Sequence, residues 1–205
     1  LIDAGTFALA TFLVISLRPS KQIKSQGESI IQELKLGWKE FISRKWLWVI
    51  VVQFCFIVAS VEAVYGLIGP AVARDQMGGA ADWGLIAAAI GVGTIVGGIA
   101  SFYMRFTHPL KIATLTSFSF SFISLALIMP LPLHWIMLAA FLGGIGWEMF
   151  SILWTTTLHQ AIPSHMLSRV SAYDHIGSIG LAPLGIVVAG FLYESLGFQI
   201  VLILC

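Results

Sequence analysis

Two carboxyl groups of this chain stand inside long apolar runs. Glu148 lies in GGIGWEMFSILWTTTLHQ (143–160), where helical spacing aligns it with Ser151, Ile152, Thr155 and His159 as a polar stripe. Glu62 lies on a stripe with Tyr65, Gly66 and Gly69. Gln53 and Ser60 fall on a different face of that same run, so one of the two sets points away from any shared site. An ionisable group at the centre of a membrane span costs roughly 2.5–3.5 kcal/mol on insertion scales, so each needs a reason. At Glu148 two reasons stay open: a carboxyl that takes up and releases a proton, or one held permanently in a hydrogen bond to a neighbouring helix. For Glu62, nearer the outer end of its run, a hydrogen bond at a wetted rim is the simpler role, with proton coupling as the alternative.

Other site chemistries find little support. His159, His165 and His175 lack the i,i+4 spacing of a helical metal pair, so no metal site is expected. Neither His-Glu-x-x-His, Gly-x-Ser-x-Gly nor a phosphate-binding glycine loop with Lys-Ser or Lys-Thr occurs. No cofactor, no catalytic residue and no nucleic-acid partner is expected. An acid–base pair of Glu148 and His159 would be about 16 Å apart along a helix, which weakens an intramembrane enzyme. Cys55 and Cys205 sit in apolar runs and are expected as small buried side chains rather than a disulfide.

The elements that must carry these residues are set by composition. Hydrophobic residues make up 58% of the 205-residue chain and charged ones 10%, with a mean hydropathy of +0.93, which excludes a water-soluble domain. Apolar runs cover 2–17, 46–72, 81–104, 110–129, 134–158 and 176–193, and another starts near Phe198. Spanning the hydrocarbon takes about 20 residues as a helix, and helices alone satisfy the backbone there. Both ends of the sequence fall in apolar runs, so the chain is expected to be a piece of a longer protein.

All but Arg74 of the eleven lysines and arginines fall in three alternate gaps between the runs. The first gap holds Arg18, Lys21, Lys24, Lys35, Lys39, Arg44 and Lys45, the second Arg105 and Lys111, the third Arg169. Basic loops stay cytoplasmic, so these gaps are expected inside, with Arg74 outside beside Asp75. The expected organisation is a helix over 1–17, a cytoplasmic linker over 18–45 and a set of helices over 46–205. Within the linker Ile30, Ile31, Leu34, Trp38, Phe41 and Ile42 recur at helical spacing, which describes an amphipathic helix on the membrane surface or against the bundle rim. In the third run Ala89, Gly93 and Gly97 form a small-residue ridge, extended by Gly84, Ala87, Ala88 and Gly91, suited to close helix packing. Thr114, Ser117, Ser121 and Ser124 share one face of the fourth run, and Pro183 with Gly180 and Gly185 is expected to bend the sixth. Asp174 is placed near a helix N-terminus, where the dipole favours it.

One helix, a long basic linker and a set heading for six helices resembles the middle and C-terminal half of a major facilitator transporter. GGIASFYMRFTHPLK (97–111) looks like a worn form of that family's glycine-and-basic loop, with Ser101 near the place of its usual acid. IPSHMLSRVSAYDHIGSIGLAPLG (162–185) resembles the branch that contains the enterobactin exporter, related secretion effectors and drug-efflux proteins. The match lies in Pro163, Leu167, Arg169, Val170, Ser171, Asp174, Gly177, Pro183 and Gly185. The stretch AADWGLIAAAIGVGTIVGG (80–98) has the look of the same branch.

The resemblance implies an all-α membrane bundle in a bacterial plasma membrane that exports a small organic molecule by alternating access, coupled to protons. It makes Glu148, assisted by Glu62, the proton site. Tyr65, Ser151, Trp154 and Thr155 become cavity residues, and Arg105, Lys111, Arg169 and Asp174 cytoplasmic gate residues. The implied partners are substrate, protons, lipid and the N-terminal half of the same chain. An importer or uniporter of the same fold, an intramembrane enzyme and a non-transporting scaffold are the alternatives.

Overall fold

The computed structural model describes residues 2–16, 30–104, 107–129 and 131–205, and the elements among them are all helical. The chain forms two compact units, 1–33 and 34–205. In the first, α1 (Ile2–Ser16) is an apolar helix whose Thr11 and Ser16 hydroxyls donate to the carbonyls of Phe7 and Phe12, each at 2.8 Å. Its described side chains, Phe7 and Phe12 among them, are exposed. The helix α2 (Ile30–Ser43) begins here and continues into the second unit.

Five helical stretches of the second unit are long and apolar enough to cross a membrane. The first is α3 (Lys45–Ala63), a π-helical turn (Val64–Ile68) and α4 (Gly69–Gln76). The second is α5 (Ala80–Tyr103). The third joins α6 (Pro109–Thr116), a 3₁₀ turn (Ser117–Phe120) and α7 (Ser121–Ile128). The fourth is α8 (Leu133–Ala161), and the fifth combines α9 (Ser164–Ile179) with α10 (Ala182–Leu196). Gly197, at φ 80°, turns the chain into α11 (Phe198–Leu204). This is an all-α, multi-pass membrane bundle.

Glycines bring the spans together. A Cβ on Gly93 or Gly97 of α5 would run into the backbone of Phe141 or Ile145 on α8, and one on Gly144 of α8 into the Ile90 carbonyl. The small-residue ridge therefore packs as its spacing predicts, through Gly93 and Gly97, while Gly84, Ala87, Ala88 and Gly91 remain exposed. On the other side of α8, Gly146 accommodates the Ser119 side chain. Gly177 of α9 and Gly185 of α10 lie against Val51 and Ala59 of α3. Two apolar clusters fill the bundle. One holds Leu47, Val51, Phe54, Phe150, Leu153 and Trp154, with Phe54 and Phe150 stacked at 3.9 Å; the other holds Ile68, Ile86, Ile123, Ile136 and Leu202.

Two local departures from regular helix have proline at their root. Pro70 offers no N–H to the Gly66 carbonyl, and the preceding turn is π-helical. Pro183 likewise cannot bond the Ile179 carbonyl, and the fifth span breaks at Gly180 and Leu181, as the expected bend required. The span itself differs from its predicted start at 176: it begins at Ser164, because the polar stretch through Arg169 and Asp174 is helical too. Asp174 is thus in the third turn of α9, too deep for the N-terminal dipole to explain it. Arg74 and Asp75 close α4 as the expected pair, at 2.7 Å.

Candidate functional site

The π-turn and the glycine seam between α5 and α8 border a recess of about 240 Å³. Its walls come from α3 and the π-turn (Val61, Glu62, Tyr65), from α5 (Ile90, Thr94), from Phe120, and from α8 (Gly143, Gly144, Trp147). Glu62 is exposed at this recess, one turn from Tyr65, and the Tyr65 ring lies 6.5 Å from that of Trp83. Gly143 leaves room for the Tyr65 hydroxyl, which would be 3.8 Å from a Cβ there. The Thr94 hydroxyl donates to the Gly91 carbonyl at 2.8 Å, which leaves its oxygen as an acceptor toward the recess. Tyr65 belongs to the π-turn, so that turn forms part of the wall of the recess beside Glu62.

Glu148 stands beside this recess rather than on its wall. It is half-buried on α8, one turn from Gly144, with its Cγ 3.7 Å from where a Cβ on Gly98 would sit. Ser151, one turn from Trp147, and Thr155 beyond it are exposed, as is His159. The residues of the stripe are thus exposed or half-buried along α8. Trp154 is elsewhere. It is 8% exposed in the apolar core, stacked on Phe150 at 6.1 Å and edge-on to Trp46 at 5.8 Å. Its cavity placement is corrected: i,i+4 spacing from Phe150 carries it inward.

The Trp154 Nε1–H donates to Asp174 Oδ2 at 3.1 Å, while Asp174 Oδ1 is buried with no partner among the described residues. Arg169 contacts the Met166 sulfur at 3.6 Å and packs its stem on Gly37. Lys111 is exposed, and Arg105 lies outside the described residues. Of the three gate residues that are described, Asp174 turns into the core, Arg169 lies against α2 and Lys111 is exposed.

A second cavity, of about 360 Å³, lies between the first and third spans. Gln53, Ser60 and Tyr65 of the first span face Thr114, Ser117, Ser121 and Ser124 of the third across it. Both polar faces of the first span thus border cavities, and Tyr65 borders both. The Thr114 and Ser117 hydroxyls bond back to the carbonyls of Leu110 and Thr114, at 3.0 and 2.7 Å. Among the described residues no group of His, Cys, Asp and Glu is arranged to hold a metal. Cys55 and Cys205 are both free thiols.

No curated protein and no solved structure gave a match. The family model described as Major Facilitator Superfamily matches residues 1–180, most of the chain. With its apolar spans, this match makes the protein a secondary transporter in the general sense, and the chain belongs to the major facilitator superfamily.

Proposed function

We propose that the protein exports a small organic molecule by alternating access, with proton entry as the driving reaction. The observation that supports this best is the recess that brings Glu62, Tyr65 and Thr94 of two spans against Gly143, Gly144 and Trp147 of α8, the helix that also carries Glu148, Ser151 and Thr155. Carboxyl and hydroxyl groups facing outward from a membrane bundle are costly against lipid and inexpensive against a wet cavity. The recess is smaller than the ~300 Å³ that drug-sized ligands usually need, so it takes up part of a substrate. The remainder would lie against a second helical bundle of the same chain, facing Ser151 and Thr155, in the arrangement of repeats rocking about a midplane site.

In this mechanism Glu62 touches the substrate space, and Glu148 lies one helix turn away along the same surface. Protonation of one carboxyl and binding of substrate then compete, so that substrate leaves on one face as a proton enters from that face. The proton moves from water to a carboxylate oxygen and returns to water on the other side. The siderophore, drug or metabolite character of the substrate rests on the likeness of 162–185 to exporters, and the bacterial plasma membrane as the site of action rests there too.

The test compares metabolites in the medium of cells deleted for the gene and cells restored with the wild type, Glu62→Gln or Glu148→Gln. Wild type should restore one extracellular compound, and Glu62→Gln should lower its export at least about tenfold, equivalent to ~1.4 kcal/mol in a rate or binding step. Export that is indifferent to a collapsed proton gradient would point to a uniporter. A compound removed from the medium by the wild type would reverse the direction and overturn export.

A further inference from the structure

α2 meets the bundle along one line. A Cβ on Gly37 would stand 2.9 Å from the Arg169 Cβ and 3.1 Å from Cε2 of Tyr173, and Phe41, 5% exposed, fills the core beside it. The Tyr173 hydroxyl donates to the Leu34 carbonyl at 3.0 Å, and its ring leans on Trp38 at 5.3 Å. Helical spacing sorts the other side chains around that line. Leu34, Trp38 and Ile42 form the flank on the Tyr173 side, and each is about half exposed, at 52, 50 and 46%. Lys35 and Lys39, both exposed, follow at the outer border of that flank. The opposite flank carries Glu40, held to Arg44 at 2.7 Å.

The bundle fixes which way the apolar flank looks. Tyr173 is one turn further into α9 than Arg169, so the side of α2 next to it faces the depth of the bilayer. Arg44 is the only residue between α2 and the span Lys45–Gln76, so α2 lies at the level where the hydrocarbon begins. An apolar flank with a tryptophan, bordered by lysines and backed by acidic residues, is the arrangement of a helix lying in a membrane interface.

We propose that α2 is an anionic-lipid-binding helix: Leu34, Trp38 and Ile42 enter the acyl boundary, and Lys35 and Lys39 hold headgroup phosphates. The lysine stems run along the flank and raise their ammonium groups to the headgroups. Each lysine near an anionic surface is worth about 1 kcal/mol. Through Gly37 and Tyr173 the bound lipid also bears on the first turns of α9.

A spin label on Ile42→Cys, in a Cys55→Ala/Cys205→Ser background reconstituted with phosphatidylcholine and phosphatidylglycerol, reports the environment directly. The expected signal is broadened by oxygen and spared by a water-soluble nickel chelate. Broadening by nickel would place the flank in water, and protection from both would mean that protein covers it; either overturns the proposal. Separately, spin-labelled phosphatidylglycerol should associate in preference to phosphatidylcholine. Lys35→Glu/Lys39→Glu should lower that preference roughly fivefold per lysine, from ~1 kcal/mol each, and Lys35→Arg/Lys39→Arg should retain it. A preference unchanged in the glutamate variant sinks the lysine assignment.

Discussion

Asp174 has one neutral donor, the Trp154 indole, for a carboxyl turned into the bundle. Trp154 Nε1 reaches Oδ2, and Oδ1 finds no partner among the described residues. Removing a donor from a buried polar group costs about 1–3 kcal/mol, because the group keeps its desolvation and loses its bond. Trp154→Phe keeps most of the ring contact with Phe150 and Trp46 and deletes only the donor. It should lower the melting temperature of the purified protein by the equivalent of that cost. Combined with Asp174→Leu the loss should be less than additive, with a coupling of about 0.5–3 kcal/mol. Strict additivity would mean that the bond carries no stability. The sequence marks Trp154 as an aromatic neighbour of the Glu148 stripe and Asp174 as a charge at the entry to the last long apolar run. Their partnership is invisible there, since it depends on α8 and α9 lying side by side, 20 residues apart in the chain.

At the scale of the element, the break in the fifth span is the feature with the clearest chemical cause. Pro183 removes one backbone bond, and Gly180 and Leu181 separate α9 from α10. α9 carries the Tyr173 and Arg169 contacts to α2, and α10 packs through Gly185 on Ala59 of α3. In the proposed alternating access, a joint between them would serve as a hinge within the span. Pro183→Ala restores the missing donor. It should leave thermal stability equal or higher and slow transport several-fold, measured as substrate efflux from preloaded cells. A variant with wild-type rates would make the break a static bend. Pro183 was legible as a bend because proline acts locally. The start of α9 was not, because Ser164 to His175 is polar in sequence and hydropathy alone reads such a stretch as loop. The π-turn was hidden for a related reason: Pro70 signals a lost bond but not whether the chain answers with a kink or a wider turn, and the contact of Trp83 with Gly69 beside it is invisible in the sequence.

The whole molecule is ordered by two patterns of different physical origin. Apolar length sets the spans, and these were legible because lipid leaves the backbone no alternative. The cavities were only half legible, because a helix stripe gives a direction only once its neighbours are known; Glu62 and Gln53 each border one, on different faces of the same helix. Charge sets the orientation. The three basic gaps belong to alternate connections, so consecutive crossings put Thr107 on the face of the basic loops and Gln76 on the other. Both residues are exposed in the structure, which makes them fit for labelling. In a background with Cys55→Ala and Cys205→Ser, Gln76→Cys should react in intact cells with a membrane-impermeant maleimide. Thr107→Cys should react only after permeabilisation. The reverse pattern would invert the protein in its membrane and turn the proposed export into uptake through the same recess. Labelling of both sites in intact cells would mean that the spans between them do not cross as pairs, and the antiparallel order of the bundle would fall with that result.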